Sequence, residues 1–153
     1  MESARIARGS IKDINKVRTV DIDGLIIPGG FGAAKNLSDF AVKGKDAVVN
    51  EDVRRLVNDM VSSQKPIGAI CIAPATLTKA LEGKNPEVTI GNDVGTAGTI
   101  EAMGGQHKEC SVDMIHVDSN NKIVSTPAYM IGSSIKDVAV GIEKLVNKVL
   151  ELA

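Results

Sequence analysis

The feature that most constrains this chain is a repeated hand-over from a short apolar run to a turn built of glycine, proline or cysteine. In DGLIIPGGFG, residues 23–32, the run Leu25–Ile27 stops at Pro28, Gly29 and Gly30; in KPIGAICIAPATL, residues 65–77, IGAICI gives way to Ala73 and Pro74. Runs this short, without polar alternation, predict strands buried on both faces, as in a parallel sheet. Helical spacing fills the intervals. Asn50 is a good N-cap ahead of Val53, Leu56, Val57, Met60 and Val61, and Leu77 and Leu81 share a face before Gly83. EVTIG predicts a further strand, TAGTIEAMGG a short helix closed by Gly104 and Gly105, and MIHVDSNNKIVST two strands about a turn at 119–121. Ile135, Val138, Ile142, Leu145, Val149 and Leu152 fall three or four apart, which predicts a last helix with that face in the core, while residues 33–50 begin as an irregular polar stretch. Strands alternating with helices predict a single α/β domain over residues 1–153, an open and mostly parallel sheet with helices on both faces.

Composition removes several classes of function. With 18 Lys and Arg against 19 Asp and Glu there is no basic excess for nucleic acid phosphates. Three aromatic residues, Phe31, Phe40 and Tyr129, leave no stacking platform for single strands. No apolar run approaches the roughly 20 residues of a membrane span, so neither nucleic acid nor membrane is expected as a partner. The start, MESARIARGS, has no apolar signal core, although its arginines are compatible with a short mitochondrial-type segment. Two cysteines without a secretory signal point to reduced thiols in a cytoplasmic setting.

Cys71 is the position to explain. A cysteine in an apolar run is ordinarily a small buried hydrophobe. Here, however, it falls where a buried strand passes into a helix, on a tight turn at the carboxyl edge of the sheet. The free N–H groups and helix dipole found there favour the thiolate, the nucleophilic form. The N–H of Ile72 would face an oxyanion formed on a substrate carbonyl. PGGFG, taken alone, does no more than turn the chain. At the same sheet edge, its Gly29 and Gly30 amides would complete an oxyanion hole with Ile72.

The blocks IIPGGFGAAKNLSDFAVKGKDAVVN, KPIGAICIAPATL and NNKIVSTPAYM resemble the ElbB group, the bacterial "enhancing lycopene biosynthesis" proteins and their mitochondrial relatives, within the PfpI and class I glutamine amidotransferase-like superfamily. The resemblance runs over essentially the whole chain. It implies a flavodoxin-like three-layer sandwich, a nucleophile-elbow cysteine at Cys71, oxyanion donors at Gly30 and Ile72, and a homodimer. It also implies a glyoxalase-type conversion of glyoxal or a related small dicarbonyl to a 2-hydroxy acid, with neither glutathione nor metal as cofactor. His107, in GGQH, matches a family position where a histidine lies near the elbow and is the candidate base; a surface histidine in a loop is the alternative. Relatives with amidotransferase or protease chemistry carry a histidine after the cysteine or in a later His-Pro-Glu element. Here those places hold Ile72 and Ser125-Thr126-Pro127-Ala128, which disfavours both activities. Relatives also begin with a strand and helix that supply a carboxylate to the cysteine, a portion this chain is expected to lack.

The remaining candidates are weaker. His116 lies in an apolar strand and reads as structural. His107, Cys110 and His116 lack the paired spacing of a metal site, so no metal is expected. Cys110 reads as an ordinary buried or edge thiol, and Glu101 and Asp113 as solvated surface. In GNDVGTAG, Asn92 or Asp93 is expected to cap a helix rather than hold phosphate. Lys35, Asn36 and Tyr129 are candidates for the pocket mouth. Against the enzyme stands a rival from another class: a redox-sensing or chaperone-like protein in which Cys71 is oxidised without turnover. Uncharged central strands with an open edge predict at least a dimer, or else poor solubility.

Overall fold

The protein is described by a computed structural model covering residues 2–153. Helix α1, Glu2–Ile6, leads through 3-10 turns at Ile14–Lys16 and Thr19–Asp21 to β1, Leu25–Ile27. Next come α2, Gly30–Gly32, a π-helical turn at Ala33–Leu37, α3, Phe40–Lys43, and α4, Glu51–Ser62. Strand β2, Ile67–Ile70, is followed by α5, Ala73–Ala80; β3, Glu87–Gly91, by α6, Val94–Ala102, and β4, Gln106–Glu109. The antiparallel pair β5, His116–Asp118, and β6, Ile123–Thr126, precedes α7, Ile135–Leu152.

The central sheet runs β1-β2-β6-β5, parallel except for β5, and β3 pairs with β4 in parallel beside it. Side chains join the two parts: Thr89 N–H donates to Ser125 Oγ at 2.9 Å, and Glu87 N–H to Asp118 Oδ2 at 3.0 Å. Alternation along β2 and β6 builds two cores. Ile67, Ala69 and Ile123 pack with α4 and α5, whereas Ile70 and Val124 pack with Val138, Leu145 and Val149 of α7. Helix, sheet and helix thus form three layers, with helices on both faces of a mostly parallel sheet as the alternating pattern predicts, in the flavodoxin-like fold that the resemblance implies. No helix among the described residues is long and apolar enough to cross a membrane.

Asn50 caps α4 by accepting from the amides of Asp52 and Val53, and all five of its expected core residues are buried. Two expectations and one alternative need correction. Residues 33–50 are not irregular: they wind into successive helical turns that bury Ala33, Ala34, Ala47 and Val49. Ile135 is 78% exposed, because the buried stripe of α7 is Val138, Gly141, Leu145 and Val149, and Ile135 stands at the start of the helix off that stripe. His107 lies in β4, not in a loop, since Gly104 and Gly105 turn the chain straight from α6 into a strand. Two cations fasten residues 14–22. Arg55 donates to the carbonyls of Ile14 at 2.9 Å and Val17 at 3.2 Å, and Lys65 Nζ to those of Thr19 at 2.8 Å and Ile22 at 2.7 Å.

Candidate functional site

Cys71 links β2 to α5 with φ +61°, a left-handed conformation that costs an L side chain about 1–2 kcal/mol. The turn is held there because the Cys71 N–H extends the ladder to β6, donating to Thr126 O at 3.0 Å, while Ile72 already caps α5 and accepts from Ala75 N–H. Pro74 fits the first helical turn, where its missing donor is not needed. The thiol is half-buried.

The glycine loop meets this elbow from β1. Gly29 has φ +82° and ψ −146°, and a β-carbon there would collide with the Ile70 carbonyl, so only glycine permits the close approach. Gly30, also at positive φ, faces open space. Gly30, Cys71 and Ile72 together border one cavity of about 380 Å³, and Gly29 lies beneath the elbow without lining it. Among the described residues, the amides of Gly30 and Ile72 donate to no acceptor.

The rest of the wall is apolar: Phe31, Ala34, Phe40, Ala41 and Met130. A buried hydroxyl pair secures it. Ser38 Oγ and Thr76 Oγ1 are 3.0 Å apart and each is 3.3 Å from the Ala33 carbonyl, which pins the π-helical turn to α5. Lys35 stands over the Phe31 ring, 5.0 Å from its centroid, and both it and Asn36 border a neighbouring cavity, not that of Cys71. Tyr129 is exposed outside this wall, and its neighbour Met130 takes the position. Phe31, Phe40 and Met130 were not expected at the site. A signal was available for two of them, since both phenylalanines of an aromatic-poor chain fall within ten residues of the glycine loop.

His107 is not brought to Cys71. Its Nε2 accepts from Ile90 N–H at 3.3 Å, and its ring borders a separate cavity of about 360 Å³ with Asn92, Glu101 and Glu109. Burial pushes its pKa below the ordinary histidine value, against the opposing pull of Glu101 and Glu109. His116 Nε2 lies 3.1 Å from Glu87 Oε2 between strands. Cys110 is half-buried, and burial, with Asp113 adding to it, pushes its thiol pKa up, disfavouring the thiolate. Asp93, not Asn92, caps α6 by accepting from Thr96 N–H at 2.7 Å.

The chain is 44% identical over 160 residues to the mitochondrial ES1 protein homolog of Rattus norvegicus, covering 99% of this chain and 59% of that protein. It is 46% identical over 160 residues to the human mitochondrial glutamine amidotransferase-like class 1 domain-containing protein 3, with the same coverage of 99% and 59%. It therefore spans only 59% of the length of these curated relatives. The crystal structure of an isoprenoid biosynthesis protein with an amidotransferase-like domain from Ehrlichia chaffeensis superposes with a TM-score of 0.88 at 36% identity, covering 99% of this chain and 70% of that one. The DJ-1/PfpI family description matches residues 9–129, from before β1 to beyond the end of β6, so the chain belongs to the DJ-1/PfpI family.

Proposed function

We propose that Cys71 is the nucleophile of a glyoxalase-type reaction on a small dicarbonyl, requiring neither glutathione nor metal. The observation that supports this reading is a cysteine held at positive φ beside two amides without acceptors, Gly30 and Ile72, on a cavity large enough for a small substrate. The thiolate adds to the aldehyde carbon, and the two amides stabilise the resulting oxyanion. The C1 hydrogen then passes as a proton through an enediol to C2, which leaves a 2-hydroxyacyl thioester. Water hydrolyses the thioester and frees Cys71, so that R–CO–CHO and H2O give R–CHOH–COOH. Water also carries the proton, because His107 borders another cavity. Incubating the protein with glyoxal and following glycolate tests the reading. Equal turnover by Cys71→Ala overturns it.

The resemblance to the ElbB group belongs to the same proposal, supported by the 36% identity to the Ehrlichia chaffeensis protein. So does a homodimer: β1 is an edge strand with Ile26 38% exposed, and sedimentation returning only monomer excludes it. The names of both curated relatives favour a mitochondrial compartment over a cytoplasmic one, which fractionation of the source cells decides.

One observation favours a redox-sensing role instead. Among the described residues, no carboxylate or imidazole borders the Cys71 cavity to move a proton during turnover. In that role peroxide takes the thiolate to the sulfenate and a second equivalent takes it to the sulfinate. Mass spectrometry after mild peroxide distinguishes the two: selective oxidation of Cys71 without dicarbonyl turnover supports the sensor, and equal oxidation of Cys110 argues against it.

A further inference from the structure

We infer that the Cys71 cavity selects electrophiles bearing a flat, uncharged apolar group of about phenyl size, so that an aryl-substituted 2-oxoaldehyde is taken in preference to glyoxal. The inference rests on the proposed nucleophilic role of Cys71 and specifies the substrate class of that site. Glyoxal, two carbons and two oxygens, leaves most of a cavity of about 380 Å³ empty. Its hydrate would also trade water for walls with little to offer, because the surfaces beyond the elbow are the side chains of Phe31, Ala34, Phe40, Ala41 and Met130. Those walls reward a ring, by apolar area removed from water and by aromatic contact with two phenylalanines. Met130, unbranched and polarizable, adapts to its edge.

Two features make the cavity preformed. The Ser38–Thr76 pair, both hydroxyls against the Ala33 carbonyl, fixes the turn that presents Ala34 and leads to Phe40. Phe31 is 74% exposed, an orientation that needs a restraint, and the Lys35 ammonium 5.0 Å from its ring centroid supplies one. Preformed walls lower the ordering cost of binding.

The test uses two neutral product analogues, mandelamide and glycolamide, which differ by one phenyl ring and do not react with arginine. Each is titrated against carbamidomethylation of Cys71 by iodoacetamide, read by mass spectrometry on the whole chain. Mandelamide is expected to protect at concentrations at least about tenfold lower than glycolamide, the yield of partly burying a ring. Phe31→Ala, at an exposed position that leaves the fold intact, is expected to narrow that ratio by about threefold, and Phe31→Leu to restore part of it. Equal protection by the two amides, or a ratio unchanged in Phe31→Ala, overturns the inference. Turnover of methylglyoxal and phenylglyoxal, followed as lactate and mandelate, separates it from the reading beneath. No turnover of either with the protection ratio intact removes the glyoxalase and leaves the selectivity, whereas turnover with equal protection removes the selectivity alone.

Discussion

Gly29 and Cys71 fit so closely that a β-carbon on the glycine would stand 3.1 Å from the β-carbon of the cysteine, with the Ile70 carbonyl nearer still. Both obstacles are parts of the elbow and neither can swing away. Gly29→Ala is therefore expected to cost about 3 kcal/mol, from collision together with a backbone region reserved for glycine. Gly30→Ala meets open space and loses only about 1 kcal/mol for its positive φ. Urea denaturation of the two variants measures the difference, and equal losses contradict the fit.

The elbow itself stores conformational energy. Cys71→Gly and Cys71→Ala both remove the thiol, but only glycine relaxes a residue at φ +61°. Cys71→Gly is expected to be the more stable of the two by about 1 kcal/mol, despite the greater freedom of its unfolded chain. Denaturant midpoints decide this, and a less stable glycine variant means that the turn is not strained.

His107 links stability to pH. Its folded-state pKa is lowered, chiefly by burial, so the unfolded chain takes up the proton first. The contribution is fully present above the unfolded value near about 6.5 and is lost as pH falls through the lower folded value. Protonation at Nε2 would also set a second donor against the Ile90 N–H. Unfolding free energies at pH 7.5 and pH 5 are expected to fall more steeply for the parent than for His107→Gln, with the charges of Glu101, Glu109 and His116 common to both. Parallel slopes would assign the pH dependence elsewhere.

Asp118 is 2% exposed and accepts from the amides of Glu87, Asn120 and Asn121 and from Asn121 Nδ2. Burial would push its carboxyl pKa up, but these hydrogen bonds together hold it below the usual value. Asp118→Ala leaves three backbone donors without that acceptor and is expected to cost about 3 kcal/mol. Asp118→Asn keeps an acceptor and costs less. Thermal denaturation of the pair checks both.

The three-layer arrangement and the strand-to-helix turn at Cys71 were legible because they rest on local patterns. The apolar runs at Leu25–Ile27 and Ile67–Ile70, the cap at Asn50 and the turn at 119–121 each act within a few residues of themselves. What escaped depends on distant partners. QHKE has mixed polarity and becomes a strand only because β3 offers it a ladder, so the sequence predicts no strand there and a surface loop stands as the alternative for His107. Ile135 has the right spacing for the core, but the stripe that reaches the sheet contains Gly141, where a β-carbon would meet Thr126 Oγ1 at 2.7 Å. The apolar wall of Phe31, Phe40 and Met130 joins residues almost a hundred positions apart, a proximity that no window along the chain contains.

Arg55 and Lys65 hold residues 14–22 entirely through carbonyl oxygens, the one group every amino acid presents alike. Such a clasp recognises the path of the chain and is blind to its spelling. Substitutions at the exposed positions of the strap can accumulate without loosening it, whereas Ile14, Val17 and Ile22 also pack against the core, and a single change at either cation releases two anchor points at once. The tolerance of the exposed strap positions is thus written in two residues that lie outside the strap, and a mutational scan should find the constraint at positions 55 and 65 and at the apolar positions 14, 17 and 22, not at the exposed ones between them.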